Sequence, residues 1–92
     1  MKSVLQSEKE CWVCGRKDQL HDHHIFFGTA NRKKSEKYGL KVWLCYEHHT
    51  GGAGVHFNPE LDAVLKQMAQ RYFEKHICDR DKFRDEFGKS WL

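Results

Sequence analysis

Residues 11–56 read CWVCGRKDQLHDHHIFFGTANRKKSEKYGLKVWLCYEHHTGGAGVH, and they hold three of the four cysteines and six of the seven histidines of a 92-residue chain. Cys11 and Cys14 stand two residues apart and are followed by Gly15, the usual shape of a metal knuckle. Taken alone, this pair is compatible with a disulfide, a redox couple or metal ligands. A disulfide framework suits a secreted chain, and MKSVLQSEKECW has too short an apolar stretch for a secretion signal. A thioredoxin-like couple wants a βαβ pattern around it, and none is visible. Cys45 and His48 repeat the two-residue gap. Two knuckles predict a closed tetrahedral zinc site of Cys11, Cys14, Cys45 and His48, with His49 as the alternative fourth ligand.

Length and composition frame this site. Ninety-two residues allow one small domain, 1–92, with a site region over 11–58 and a helical scaffold over 59–92. A domain this short buries a limited core. Zinc would tie the N-terminal turn to the turn after the second strand, contributing on the order of 10 kcal/mol. Hydrophobic residues make up 39% and charged residues 32%, which is globular rather than disordered composition. No apolar run of about 18 residues is present, so a membrane-spanning helix is excluded and a cytoplasmic location is expected.

The fold class expected is α+β. Leu20 to Phe27 is predicted to be a strand. Asn31 to Tyr38 is predicted to be a short basic helix, capped by Asn31 and ended by a left-handed Gly39. Leu40 to Leu44 alternates apolar and polar and predicts a second strand. Cys45 to Thr50 is a turn or the first turn of a helix, and Thr50 to Val55 is a flexible loop. Asn58 is a good N-cap, Pro59 suits the first helical position, and Glu60 and Asp62 complement the helix dipole. Leu61, Val64, Leu65, Met68, Ala69, Tyr72 and Phe73 then recur at three and four as a core face. His76 continues that stripe and is read as structural, and Cys78 as a buried free thiol. A last helix, Arg80 to Phe87, ends at Gly88 with Phe83 and Phe87 turned inward.

Net charge is +3, and its placement matters more than its size. Residues 1–30 and 60–92 each balance to zero. The excess comes from Arg32, Lys33, Lys34, Lys37 and Lys41. A local basic run either is a solvated face or attracts polyanions such as nucleic-acid phosphates.

His21, His23, His24, His49 and His56 remain once His48 is assigned. Adjacent strand residues point to opposite faces, so His23 and His24 are not expected to bind one ion together. One can face a metal and the other a substrate water where a twist or bulge brings both near one cleft. That division suits phosphodiester hydrolysis. A divalent ion stabilises the charge on phosphate, and an imidazole, with an ordinary pKa of about 6.5, takes a proton from water. Extra structural ligands or surface histidines are the plainer alternative.

The ordered succession Cys-x-x-Cys-Gly, Asp-His-His-Ile, Leu-Cys-x-x-His-His and a further histidine resembles the HNH endonucleases. In detail, HHIFFGTANRKKSEKYGLKVWLCYEHH followed by VHFN is similar to small phage-encoded members. The resemblance covers about residues 11–58 and implies a ββα-metal motif within a single HNH-type domain. It makes His24 the general base, and His23 and His49 ligands of a catalytic cation (Mg²⁺, Mn²⁺, Ni²⁺ or Zn²⁺). His56 matches a further downstream histidine of some members and is the third ligand implied for that cation. Many members carry a bracing asparagine shortly before the second knuckle. Leu40 stands roughly there in this chain, and Asn31 is the candidate replacement. Arg32, Lys33, Lys34 and Lys37 would then hold DNA backbone phosphates. Sequence preference beyond that would need a homodimer or a phage or host protein partner. If the chain is phage-encoded, the location implied is the host cytoplasm. The alternative function is a zinc-stabilised, inactive module that binds nucleic acid or protein.

Overall fold

The computed structural model describes residues 1–92. Two strands, β1 (Leu20–His24) and β2 (Lys41–Cys45), pair antiparallel with Leu20 opposite Cys45, Asp22 opposite Trp43 and His24 opposite Lys41. Opposed residues share a face and successive residues alternate. The register therefore sorts the sheet's chemistry. His21, His23, Val42 and Leu44 lie on one face, and Leu20, Asp22, His24, Lys41, Trp43 and Cys45 on the other. The helices are α1 (Thr29–Tyr38), α2 (Tyr46–His49), α3 (Pro59–His76) and α4 (Arg80–Phe87), with a 3-10 turn at Val55–Phe57 before α3. The result is a small α+β fold. No helix is long and apolar enough to cross a membrane.

Between the strands, the chain leaves the sheet earlier than periodicity predicts. β1 stops at His24 rather than Phe27 because Phe26 finds a side-chain partner instead of a strand. Ser35, fully buried on α1, accepts the Phe26 N–H at 3.0 Å and donates to the Phe26 carbonyl at 2.8 Å. Ser35→Ala would strand both Phe26 backbone groups and is expected to cost about 2–4 kcal/mol in urea denaturation. A loss under about 0.5 kcal/mol would mean that water replaces the hydroxyl.

α1 starts at Thr29, two residues before the expected Asn31 cap. Gly28 takes the capping position, and its carbonyl receives the Arg32 N–H at 2.8 Å. Asn31 lies inside the helix, and its amide donates to the Phe87 carbonyl of α4 at 3.5 Å. Gly39 ends α1 at φ +71°, as expected, where a Cβ would also sit 2.6 Å from the Lys2 carbonyl. β2 runs one residue later than predicted, Lys41–Cys45.

α3 is capped as its sequence indicates: Asn58 accepts the Leu61 N–H, with Pro59 at the start. Its buried face is rotated from the predicted stripe, however. Leu65, Ala69 and Phe73 are buried together with Lys66 and Gln70, while Val64 is 49% exposed. The C-terminal tail makes these polar positions tenable. Gln70 accepts the Trp91 N–H and donates to Ser90, and Lys66 pairs with Asp62 beneath the Phe27 and Trp91 rings. α4 follows prediction, with Phe83 and Phe87 stacked on Phe26 and Phe73 at centroid separations of 4.5–6.2 Å. Cys78 is exposed rather than buried, because α3 ends at His76 and Cys78 falls in the connection to α4. His76 is exposed and rests on the Tyr72 ring at 4.5 Å.

Residues 1–19 form neither helix nor strand and strap the outer edge of β2. Val4 N–H donates to Gly39, Gln6 accepts the Trp43 N–H, and Trp12 N–H donates to the Trp43 carbonyl. Ser3 Oγ donates to the Lys41 carbonyl. That edge is thus covered, as an isolated hairpin edge needs to be.

Candidate metal centres

The first centre forms where the N-terminal strap meets the end of β2. Cys11 and Cys14 sit on a turn closed by Gly15 N–H to the Cys11 carbonyl at 2.8 Å. Cys45 ends β2, and His48 comes back from α2. Cys14 Sγ lies 3.8 Å from Cys45 Sγ, and His48 Nδ1 lies 3.2 Å from Cys45 Sγ and 3.8 Å from Cys11 Sγ. All four ligand atoms fall within 4.8 Å of one another. A tetrahedral ion with bonds of about 2.3 Å to sulfur holds its thiolates about 3.8 Å apart. The Cys14–Cys45 spacing matches that figure and is far beyond a disulfide bond. The set can therefore hold a metal such as zinc, and His48 rather than His49 is the imidazole in it.

The thiols are partly prepared for a cation. Burial pushes Cys11 up, but hydrogen bonds from the Cys45, Cys14 and Val13 backbone outweigh it and bring the thiol down to about 6. The Arg16 backbone pulls Cys14 down, yet burial and the neighbouring Cys11 and Cys45 sulfurs leave it raised. One thiolate forms readily here, and a crowded second one calls for positive charge.

The second cluster lies on the other face of the sheet. His23 on β1, His49 on α2 and His56 in the 3-10 turn place ring centroids 5.0–5.6 Å apart. One nitrogen from each lies within 4.8 Å of the others. His23 is buried, and its Nε2 has no hydrogen-bond partner. A buried orphan nitrogen aimed among two more imidazoles fits a metal ligand.

The loop that delivers His56 is wound tightly, where composition predicts flexibility. Gly51 N–H donates to Tyr46, Gly54 N–H to Gly51, and Phe57 N–H to Gly54. A Cβ on Gly54 would lie 2.5 Å from the His49 carbonyl, so only glycine permits this approach. His21, to which the sequence pattern assigned no role, also reaches this cluster, its Nδ1 lying 2.8 Å from His49 Nδ1. Its position two residues before His23 was the available signal, since i and i+2 share a strand face.

Burial pushes His23 down to about 3, with the neighbouring His49 and His56 adding to the effect. Burial likewise lowers His49, followed by His56 and His21. An unfolded chain titrates its imidazoles near 6.5, so below that pH it binds the proton that folded His23 refuses. With no cation on this cluster, lowering the pH from 7.5 to 5.5 is expected to cost His23 about 1.4 kcal/mol of stability. Urea midpoints across that range test this. The acid limb should flatten in His23→Leu, and an unchanged slope would refute the assignment.

His24 points the opposite way from His23, as strict alternation requires, and no bulge intervenes. Its Nε2 lies 3.7 Å from Glu36 Oε2, and it lines a cavity of about 330 Å³ with Arg32, Lys33 and Glu36. Lys41 is buried beside it and bridges Glu36 at 2.7 Å and Asp22 at 3.0 Å. The hydrogen bond from Lys41 holds Glu36 below the usual carboxylate range. Burial pulls Lys41 down, but its bonds to Glu36 and Asp22 raise it. Asp22, His24 and Glu36 also lie close enough to hold an ion, but the Lys41 ammonium already bridges the two carboxylates.

Of the remaining predicted residues, Arg32 and Lys33 are exposed at the His24 cavity. Lys37 is exposed with its ammonium over the Tyr38 ring. Lys34 is drawn to α4, where it donates to the Glu86 carbonyl and pairs with its carboxylate at 3.9 Å. Asn31, turned toward Phe87, joins none of the three clusters. Comparison of the chain with protein-family models, with curated proteins and with solved structures gives no match.

Proposed function

We propose that this chain is a metal-dependent endonuclease of the HNH kind that hydrolyses phosphodiester bonds in DNA. In this reading Cys11, Cys14, Cys45 and His48 hold structural zinc, and His23, His49 and His56 hold a second divalent cation. The observation that carries it is the orphan Nε2 of His23 among two further imidazoles, one residue from His24 beside Arg32 and Lys33. Imidazole ligands favour Mn²⁺, Ni²⁺ or Zn²⁺ over Mg²⁺. A bound ion would stabilise negative charge on the phosphate and the leaving oxygen. His24 accepts the proton of the attacking water, with Glu36 beside it to orient the ring.

β1 has a strand partner on one side only, and in this reading a phosphodiester lies along its other edge. His23 then serves it from one face and His24 from the other. Arg32 and Lys33 bind flanking phosphates without reading sequence, and this binding weakens with salt. Incubation with supercoiled plasmid tests the reading. Open-circular product is expected only when a divalent ion is added, and no product from plasmid or from single-stranded DNA with Mn²⁺, Ni²⁺, Zn²⁺ or Mg²⁺ would overturn it.

A second reading is a zinc-stapled binding module without catalysis. The engagement of Asn31 by Phe87 favours it, because no asparagine then braces the loop before the second knuckle. Metal titration separates the two. One tight zinc and no weaker site supports the module, whereas a second site lost in the His23→Ala, His49→Ala double variant supports the nuclease.

A further inference from the structure

We infer that a cavity of about 500 Å³ between the N-terminal strap and the sheet binds one unpaired nucleobase. It would take the nucleotide adjoining the phosphodiester at His24, which makes single-stranded nucleic acid the preferred substrate. This inference rests on the nuclease reading and goes further in naming what strand form the site accepts.

Asp22 stands opposite Trp43 and His24 opposite Lys41, so Trp43 and His24 are diagonal neighbours on one sheet face. Such diagonal pairs lie roughly 7–8 Å apart. A base laid on the Trp43 ring thus puts an adjoining phosphate within reach of His24. Trp43 lines the cavity, half-buried, and its backbone N–H and carbonyl are both held by the strap, through Gln6 and Trp12.

The remaining lining suits a nucleotide. Lys9 holds its ammonium over the Trp43 ring, 4.7 Å from its centre, where a stacking base displaces it toward the adjoining phosphate, and Lys2 and Lys9 are exposed cations at the cavity wall. Neither has a carboxylate partner among the ion pairs, so both can meet phosphate. Ser7 adds a polar group for a base edge. Lys41 and Asp22 line this cavity, and Lys41 also pairs with Glu36, which lines the neighbouring His24 cavity with Arg32 and Lys33. An aromatic platform between cations is how proteins bind single strands, since every base offers a π-face and a stacked duplex does not.

Fluorine NMR of the full, zinc-loaded chain carrying 5-fluorotryptophan tests this, with no second cation present so that nothing is cut. Octathymidylate or octauridylate should shift the Trp43 resonance, assigned by its loss in Trp43→Phe, and a blunt duplex should not. Trp43→Ala should weaken single-strand binding roughly 5- to 150-fold and leave duplex binding unchanged. Lys9→Ala, a change to an exposed side chain, should weaken it in the same selective way. An unmoved Trp43 signal at saturating oligonucleotide, or equal affinity for duplex and single strand, would overturn the inference. If plasmid is still nicked in that case, the nuclease reading stands and only the subsite falls. If the protein neither binds nor nicks, both fall.

Discussion

Stripping zinc from the protein with a chelator is expected to unfold it, with loss of far-UV dichroism and of any cooperative thermal transition at 37 °C and above. Residues 1–19 contain no helix or strand and are tied to the sheet by a few hydrogen bonds around Gly39, Lys41 and Trp43. Two of the four cluster residues, Cys11 and Cys45, are themselves part of the buried core. Structural zinc contributes on the order of 10 kcal/mol in small domains, which is comparable to the whole stability of such a domain, about 5–15 kcal/mol. Cys45→Ser should therefore behave like the chelated protein. Cys78→Ser should melt like wild type, because that thiol is exposed and outside the cluster. Stoichiometric zinc should restore the chelated wild type. An unchanged melting curve after metal removal, checked by elemental analysis, would refute the zinc assignment and the fold argument built on it.

The second large effect concerns the paired histidines of β1. His24→Ala is expected to lower plasmid nicking about 10²- to 10⁴-fold while leaving second-site metal affinity intact. His23→Ala is expected to abolish both nicking and second-site binding. The split follows from alternation: His23 faces His49 and His56, and His24 faces Glu36, Arg32 and Lys33. Isothermal titration with Mn²⁺ or Ni²⁺, run beside the nicking assay, reads the two effects separately. Equal nicking by wild type and His24→Ala across the metals would remove His24 from the chemistry. Metal affinity unchanged in His23→Ala would remove the second centre.

The two knuckles were legible because ligands that can hold one metal ion keep a characteristic spacing. A two-residue gap places both ligands on one turn, whatever the rest of the chain does. Local chemistry likewise announced the α3 cap at Asn58, the end of α1 at Gly39 and the whole of α4. Errors fell where a distant partner overrode local preference. Ser35 ended β1 early by binding Phe26, Phe87 captured the Asn31 amide meant for a cap or a site, and Glu86 drew Lys34 away from solvent. The buried pair Lys66 and Gln70 could not be foreseen from a helical stripe, since the tail residues that satisfy Gln70 lie some twenty positions on.

From the sequence alone came the ligand types, their spacing, and the rule that neighbouring histidines in a strand part company. Those are local properties, set by covalent geometry over a few residues. Which imidazole joined the sulfurs, that His21 leans on His49, and that Trp43 lies diagonal to His24 were decided by tertiary structure. Register, loop winding and the fold of the N-terminal strap bring together atoms that the chain keeps far apart, and no local pattern encodes those distances.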